Sequence, residues 1–217
     1  MKKFLILLLS ISIGFLCFSC EKILDKEDAD ELKGEQSPMG EVGTTVTSSS
    51  VEIAGVSNFS AVVSKLESGI SIYTATAKVT NTLLKNMVAN FPGVTIDGDN
   101  VTITDMKIQQ TKEGIKSHTG PGAGVLVKYD SEVGDTYPIG NTGKERKVVS
   151  KTGVDDYSYG FLLIKTIQVE MEPLGSKAVG VDKITFIANH RFGMVGVKVD
   201  FDDQTDVTFP IYSSTEN

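Results

Sequence analysis

The sequence predicts an α+β fold that consists mainly of an antiparallel β-sheet of about seven to nine strands with one or two helices. Three observations carry this prediction: apolar and polar residues alternate along several segments, turn-forming residues separate those segments, and one segment repeats its apolar residues at helical spacing. An all-β sandwich with a short helical crossover is the alternative. The chain has 217 residues, 40% of them hydrophobic, which suffices for one buried core.

Two hairpins are the clearest β signals. Period-two alternation places Val195, Val197 and Val199 on one face of a strand, and the polar residues 202–205 then supply a turn, so that 193–212 reads as a hairpin. Asp97-Gly98 marks a second hairpin turn, between strands at 94–96 and 101–109. Residues rich in β-branched and aromatic side chains predict further strands at 70–79, 125–129, 146–151, 159–171 and 182–189.

Helical spacing occurs in two places. Thr80 is a suitable N-cap for a helix that ends at Pro92-Gly93, and its apolar face consists of Leu83, Leu84, Met87, Val88 and Phe91. A weaker pattern predicts a second helix over 58–66, with Phe59, Val62, Val63 and Leu66 on one face.

The N-terminus has the order of a secretory signal. Lys2 and Lys3 precede an apolar run from Phe4 to Phe18, and Ser19-Cys20 follows before the first acid, Glu21. The run is shorter than the roughly 20 apolar residues that a transmembrane helix needs. We therefore expect residues 1–19 to be a signal peptide.

The segment Leu16-Cys17-Phe18-Ser19-Cys20 resembles the lipobox of bacterial lipoproteins. The resemblance implies a diacylglycerol on the sulfur of Cys20, with Cys17 as the poorer alternative acceptor because bulky Leu16 precedes it. With Cys17 removed and Cys20 acylated, no thiol remains for a disulfide. Two or three acyl chains would hold the protein on a membrane.

An acidic segment follows the cysteine. Residues 21–36 contain seven acids and three lysines, and 34–50 are rich in Gly, Ser and Thr, which predicts a flexible tether over 20–50 and a single folded domain over 51–217. The acidic stretch also resembles the export signal of Bacteroidota lipoproteins displayed on the cell surface. That resemblance implies an outer-membrane, surface location, with the periplasmic face and a plain solvated spacer as the alternatives.

The amino-acid composition limits the kinds of partner that this protein is expected to bind. The net charge is −7 and no basic cluster follows the first three residues, which argues against nucleic acid as a partner. Trp is absent, which weakens the case for stacking against sugars, although six tyrosines are present. No motif calls for a cofactor, and neither Gly-rich segment has the spacing of a phosphate loop.

Few residues are candidates for chemistry. His118 and His190 are the chain's only histidines, both in predicted loops, and with Tyr157 and Tyr159 they are candidate ligand contacts. Alternation places the rings of Tyr157, Tyr159 and Phe161 on one face, which favours the sheet core over a binding platform. The weak metal candidates are the acids Asp200, Asp202, Asp203 and Asp206, whose spacing does not match a calcium-binding loop and favours turn carboxylates.

The resulting expectation is a lipid-anchored envelope or cell-surface lipoprotein that acts as a non-enzymatic binding or interaction module. An envelope protein or a glycan is the expected kind of partner, beside the membrane held through Cys20. Two alternatives remain open. One is a glycoside hydrolase that uses paired carboxylates, since the chain has many acids. The other is a structural or accessory subunit of an outer-membrane assembly.

Overall fold

The structure is a computed structural model that describes residues 30–89, 91–174 and 180–215. Within these ranges the chain forms sixteen strands, all paired antiparallel, and one α-helix, α1 (Thr82–Val88). The predicted fold class, α+β and mainly antiparallel, is confirmed. The strands in chain order are β1 (Thr45–Thr47), β2 (Val56–Glu67), β3 (Ile70–Val79), β4 (Val94–Asp97), β5 (Asn100–Gln110), β6 (Gly114–Ser117), β7 (Gly124–Lys128), β8 (Thr136–Pro138), β9 (Glu145–Lys151), β10 (Tyr157–Tyr159), β11 (Leu162–Ile164), β12 (Ile167–Met171), β13 (Val181–Asn189), β14 (Gly193–Phe201), β15 (Asp206–Pro210) and β16 (Tyr212–Ser214).

Two sheets share the main core. The first has the order β16-β1-β2-β3-β5-β6-β7, with β4 also paired to β5, and the second has the order β15-β14-β13-β12-β9-β8. Ile115, Val125 and Val127 of the first sheet pack against Val148 and Val169 of the second. Strands β10 and β11 form a separate hairpin. The backbone comes close enough at β6 that a Cβ on Gly114 would lie 2.1 Å from the carbonyl oxygen of Val127, so only glycine fits there.

Both predicted hairpins are present. Val199 pairs with Val207 in β14–β15, and Thr95 pairs with Thr102 in β4–β5. The prediction of one strand over 159–171 is wrong, because that stretch contains β11, β12 and part of β10. The strand count therefore exceeds the expected seven to nine.

The predicted second helix over 58–66 is wrong. These residues belong to β2, a twelve-residue strand paired with β3 along most of its length and with β1. Ala61 and Val63 are buried while Val62 and Leu66 are exposed, so burial alternates with period two. Pairing with β3 along most of its length, and with β1 at residues 60–62, satisfies much of the backbone of β2, and this tertiary gain outweighs a weak helical pattern.

The first predicted helix forms, but it is shorter than expected. Its N-cap is Asn81 rather than Thr80, and the Asn81 side chain accepts from the backbone N–H groups of Leu83 and Leu84 at 3.0 and 3.2 Å. Lys85 of α1 also donates to Gly98 O and pairs with Asp99, which ties the helix to the β4–β5 turn. In the part of the chain that the structure describes, no helix has the length and apolar character needed to span a membrane.

Residues 30–48 pack onto the sheets. We expected the folded domain to begin at 51, yet Leu32 is 8% exposed within the main core, and the Ser37 N–H donates to Gln110 O at 2.9 Å. Strand β1 lies between β2 and β16 in the first sheet. The folded body therefore includes much of the predicted tether. The predicted signal peptide and Cys20 lie outside the described residues.

Replacing Leu32 tests this packing. Leu32→Ala is expected to lower the free energy of unfolding by about 2–4 kcal/mol, because it removes buried methyl groups and leaves a cavity. Urea unfolding measures this loss. Val42→Ala, an exposed substitution in the same segment, should change stability by less than about 0.5 kcal/mol. Equal effects of the two substitutions would contradict the packing of Leu32.

Candidate functional site

An apolar cavity of about 310 Å³ lies between the two sheets and is partly open to solvent. It reaches the lower end of the size range of small-molecule sites. Strands β2, β3 and β5 and helix α1 form one side, and β14 and β15 form the other. The lining residues are Ser48, Val56, Phe59, Ala75, Thr76, Ala77, Val79, Leu84, Met87, Val88, Val101, Ile103, Val197, Val199, Phe209 and Ile211.

Small side chains on β3 account for the empty space. Alternate residues of this strand turn inward, beginning with buried Tyr73 and continuing with Ala75, Ala77 and Val79. Packed sheets lie roughly 10 Å apart, and alanine side chains are too short to bridge that gap. The space beside Ala75 and Ala77 therefore stays unfilled.

Helix α1 supplies part of the wall. Leu84 is 4% exposed and packs with Val79 and Val101, while Met87 and Val88 border the cavity from the same helix. A seven-residue helix is marginal by itself, so its position depends on this packing, on the Asn81 cap and on Lys85. Met87 is unbranched and adapts its shape readily to a bound molecule.

None of the described residues that line the cavity carries a charged side chain. Its hydroxyl groups are those of Ser48 and Thr76, and the Ser48 hydroxyl already donates to Pro210 O at 2.7 Å. A buried charge without a partner is costly, so the cavity suits an uncharged, largely apolar group. The described lining includes no carboxylate and no histidine, the side chains that most often act in acid–base catalysis.

The two histidines lie outside the cavity. His118 is exposed and its Nε2 lies 3.2 Å from Gln109 Oε1, while desolvation and the nearby Lys116 ammonium lower the pKa of His118. His190 is exposed in the β13–β14 turn, which is stabilised by the Asn189 side chain accepting from Arg191 N at 2.8 Å. Neither residue lines the apolar cavity or the polar concavity that Asp200 and Asp202 border.

The four candidate metal ligands form separate turn and strand contacts. Asp200 and Asp206 pair with Lys198 at 2.7 and 3.7 Å, and this pairing raises the pKa of the Lys198 ammonium. The other two, Asp202 and Asp203, accept from Gly180 N and from Thr205, respectively. Asp200 and Asp202 border a second, polar concavity. No group of three or more potential metal ligands occurs among the described residues.

Tyr157 and Tyr159 lie on a packed face, but Phe161 does not join them. Tyr159 is buried and its ring centroid lies 4.7 Å from that of Phe192, whereas Phe161 is fully exposed. The prediction of three rings on one face is wrong for Phe161, because a turn at 160–161 separates β10 from β11 and ends the alternation. Burial is the main cause that raises the pKa of Tyr157 and of Tyr159.

Sequence reasoning missed the cavity. Many of its residues belong to elements that were correctly predicted, such as Val101 on β5 and Met87 on α1, whereas Phe59 lies on β2, where the sequence analysis expected a helix. No polar motif marks these residues. The available signal was Thr74-Ala75-Thr76-Ala77, which gives an inward face with two successive alanines.

Comparisons with known proteins add no relative. No family model, no curated protein and no solved structure matches this chain.

Two alanine substitutions test whether the space is empty. Ala77→Leu extends into the cavity, so we expect its free energy of unfolding to stay unchanged or to rise. Ala61→Leu enlarges a side chain packed among Val63, Tyr73 and Ala75, and we expect it to cost about 1–3 kcal/mol. Urea unfolding distinguishes the two variants. An equal loss of unfolding free energy in both variants would mean that the space beside Ala77 is already filled.

Proposed function

We propose that this protein is a lipid-anchored envelope lipoprotein whose folded body binds a small apolar molecule between its two sheets. The observation that carries the binding role is the apolar cavity of about 310 Å³. An apolar cavity of about half that volume, 150 Å³, is known to stay dry and to bind benzene. This cavity therefore has room for a larger apolar group, such as one or two rings or a short alkyl chain.

The lining defines the class of ligand. Val101, Val197 and Phe209 offer only apolar contact, so affinity comes from the apolar surface that the ligand removes from water. A charged group on the ligand must stay in solvent. The Ser48 hydroxyl, which already donates to Pro210 O, can still accept one hydrogen bond from a ligand hydroxyl.

Binding has more support than glycoside hydrolysis. Hydrolysis of a glycosidic bond needs two carboxyl groups on either side of the bond. Asp200 is instead paired with Lys198, and Asp203 accepts from Thr205. None of the described residues that line the apolar cavity is acidic.

The sequence supports the anchor. Ser19-Cys20 ends the apolar leader and resembles a lipobox, and the acidic residues after it resemble the surface-export signal of Bacteroidota lipoproteins. We place the protein at the outer membrane, held by acyl chains on Cys20, with the folded body at the cell surface.

An uncharged fluorescent dye tests the binding role. N-phenyl-1-naphthylamine should bind the folded protein with a rise in emission, because the dye is apolar and the cavity excludes charge. Ala77→Leu should weaken binding by roughly tenfold or more, since it fills the space that the dye needs. Titration followed by fluorescence measures both constants.

The control for that experiment is Ala89→Leu, the same substitution at an exposed position just after α1. It should leave dye affinity unchanged. Dye binding that is equal in the wild type, Ala77→Leu and Ala89→Leu would place the dye elsewhere and would contradict the proposed site.

Acyl labelling tests the anchor. Cys20→Ser removes the sulfur that the lipobox resemblance assigns to lipidation, so the variant should incorporate no labelled fatty acid and should keep its leader. Cys17→Ser is the matched control and should be labelled normally. Labelling that persists in Cys20→Ser and disappears in Cys17→Ser would assign the lipid to Cys17. If neither the wild type nor either variant incorporates labelled fatty acid, the proposed lipid anchor is contradicted.

A further inference from the structure

The β10–β11 hairpin presents large apolar side chains to solvent. Phe161 at its tip is fully exposed, and Leu162 and Leu163 are 53% and 59% exposed. Leu162 and Leu163 are successive residues of β11 and project from opposite faces of the hairpin, so together with Phe161 they make its tip apolar on both sides. No charged residue occurs in the eight-residue segment 157–164.

The hairpin is firmly attached to the folded body. The side chains of Tyr159 and Ile164 are buried and pack against Ile187 and Val195. The Tyr159 hydroxyl also accepts from Ser213 N at 3.3 Å. Its base is therefore part of the core while its tip is exposed.

The turn is also well defined. Tyr159 pairs with Leu162, leaving Gly160 and Phe161 as a two-residue loop. Gly160 has φ +58° and Phe161 does not have a positive φ, which is the pattern of a type II′ hairpin turn. Glycine at the first position leaves Phe161 to project from the end of the hairpin.

Charges begin at the base. Asp156 precedes β10 and Lys165 follows β11, next to each other across the hairpin because Tyr157 pairs with Ile164. Three residues of strand place these charges roughly 10 Å from the tip. Two further charged residues are exposed close to this pair. Asp155 precedes Asp156 in the chain, and Arg191 belongs to the turn in which the Asn189 side chain donates to Lys165 O.

We propose that the tip formed by Phe161, Leu162 and Leu163 inserts into the surface of the lipid bilayer. Amphipathic elements at membrane surfaces bury apolar residues about 5–10 Å deep, which matches the uncharged length of the hairpin. When the tip is inserted, the acidic and basic side chains at the base of the hairpin lie among the lipid headgroups, which carry positive and negative charges.

The length of chain before the folded body favours lipid over a protein partner. Nine residues lie between Cys20 and Asp30, so the two are ten residue steps apart and at most about 36 Å from each other. A body of this size measures roughly 40 Å across, so an anchored chain keeps it at the bilayer surface, within reach of the tip. This step rests on the proposed anchor, and it does not depend on the apolar cavity.

A single introduced tryptophan tests the insertion. The chain contains no Trp, so Phe161→Trp creates its only tryptophan emission. The variant is made in the chain 20–217 with Cys20→Ser, which keeps every residue that the structure describes and removes any contribution of acyl chains. It is mixed with phosphatidylcholine vesicles that carry brominated acyl chains. We expect a blue shift and strong quenching.

The matched control is Val51→Trp, at a 69%-exposed position between β1 and β2. Its emission should remain that of tryptophan in water. Quenching of both variants, or of neither, overturns the proposal. If the emission of Phe161→Trp is the same with and without vesicles but changes when an envelope protein is added, the tip binds a protein partner and the lipid proposal is overturned.

Vesicle partitioning gives the size of the effect. Phe161→Ser should lower partitioning roughly tenfold, since one buried aromatic side chain is lost from the bilayer, and Val51→Ser should not change it. Partitioning should also be similar with and without anionic lipid, because Asp155 and Asp156 offset Lys165 and Arg191. A partitioning constant that is unchanged by Phe161→Ser overturns the proposal even if the quenching is observed.

Discussion

The need to fill the gap between two packed sheets governs this structure. Where the inward residues are long or branched, as at Ile115, Val125 and Val148, the gap is closed and the sheets share a dense core. Where β3 presents Ala75 and Ala77, the gap stays open. The cavity is therefore a direct result of side-chain size along one strand, and α1 closes part of it because Leu84 finds an apolar partner there.

A buried cation and a carboxylate of the N-terminal segment both bind the backbone at β7. Arg146 has no exposed surface, and its guanidinium donates to Gly122 O and to Val125 O, the latter at 3.1 Å. Asp30 accepts from Val125 N at 2.9 Å and pairs with Lys116 at 3.1 Å. Burial lowers the pKa of Arg146 to about 10, which still leaves it charged at neutral pH. Asp30 is thus held beside Val125, a buried residue of the main core.

Local patterns predicted those elements whose burial is one-sided. The β14–β15 hairpin alternates clearly because one face of β14, with Val197 and Val199, points inward. The helix at 82–88 was predicted for the same reason. The pattern failed at 58–66, where Ser and Asn occupy the solvent face of β2, and apolar residues at Val62 and Leu66 gave a false helical period. Sequence spacing also could not show that β3 and β14 face each other, and the cavity depends on that contact. Polar motifs drew attention to His118 and Asp203, both of which make local contacts only.

An exposed apolar tip favours aggregation in water, and two properties of this chain limit that aggregation. Strands β10 and β11 have three residues each, too short to offer a long edge to another chain. The net charge of −7 keeps copies apart at the distances where the tips could meet. The charges at the base of the hairpin, Asp155 and Asp156 against Lys165 and Arg191, offset one another, so the apolar contact at Phe161 must supply the attraction to a bilayer. A tether alone would leave the body free to rotate, whereas a tether and an inserted tip together would fix which face of the protein meets the membrane and which face meets solvent.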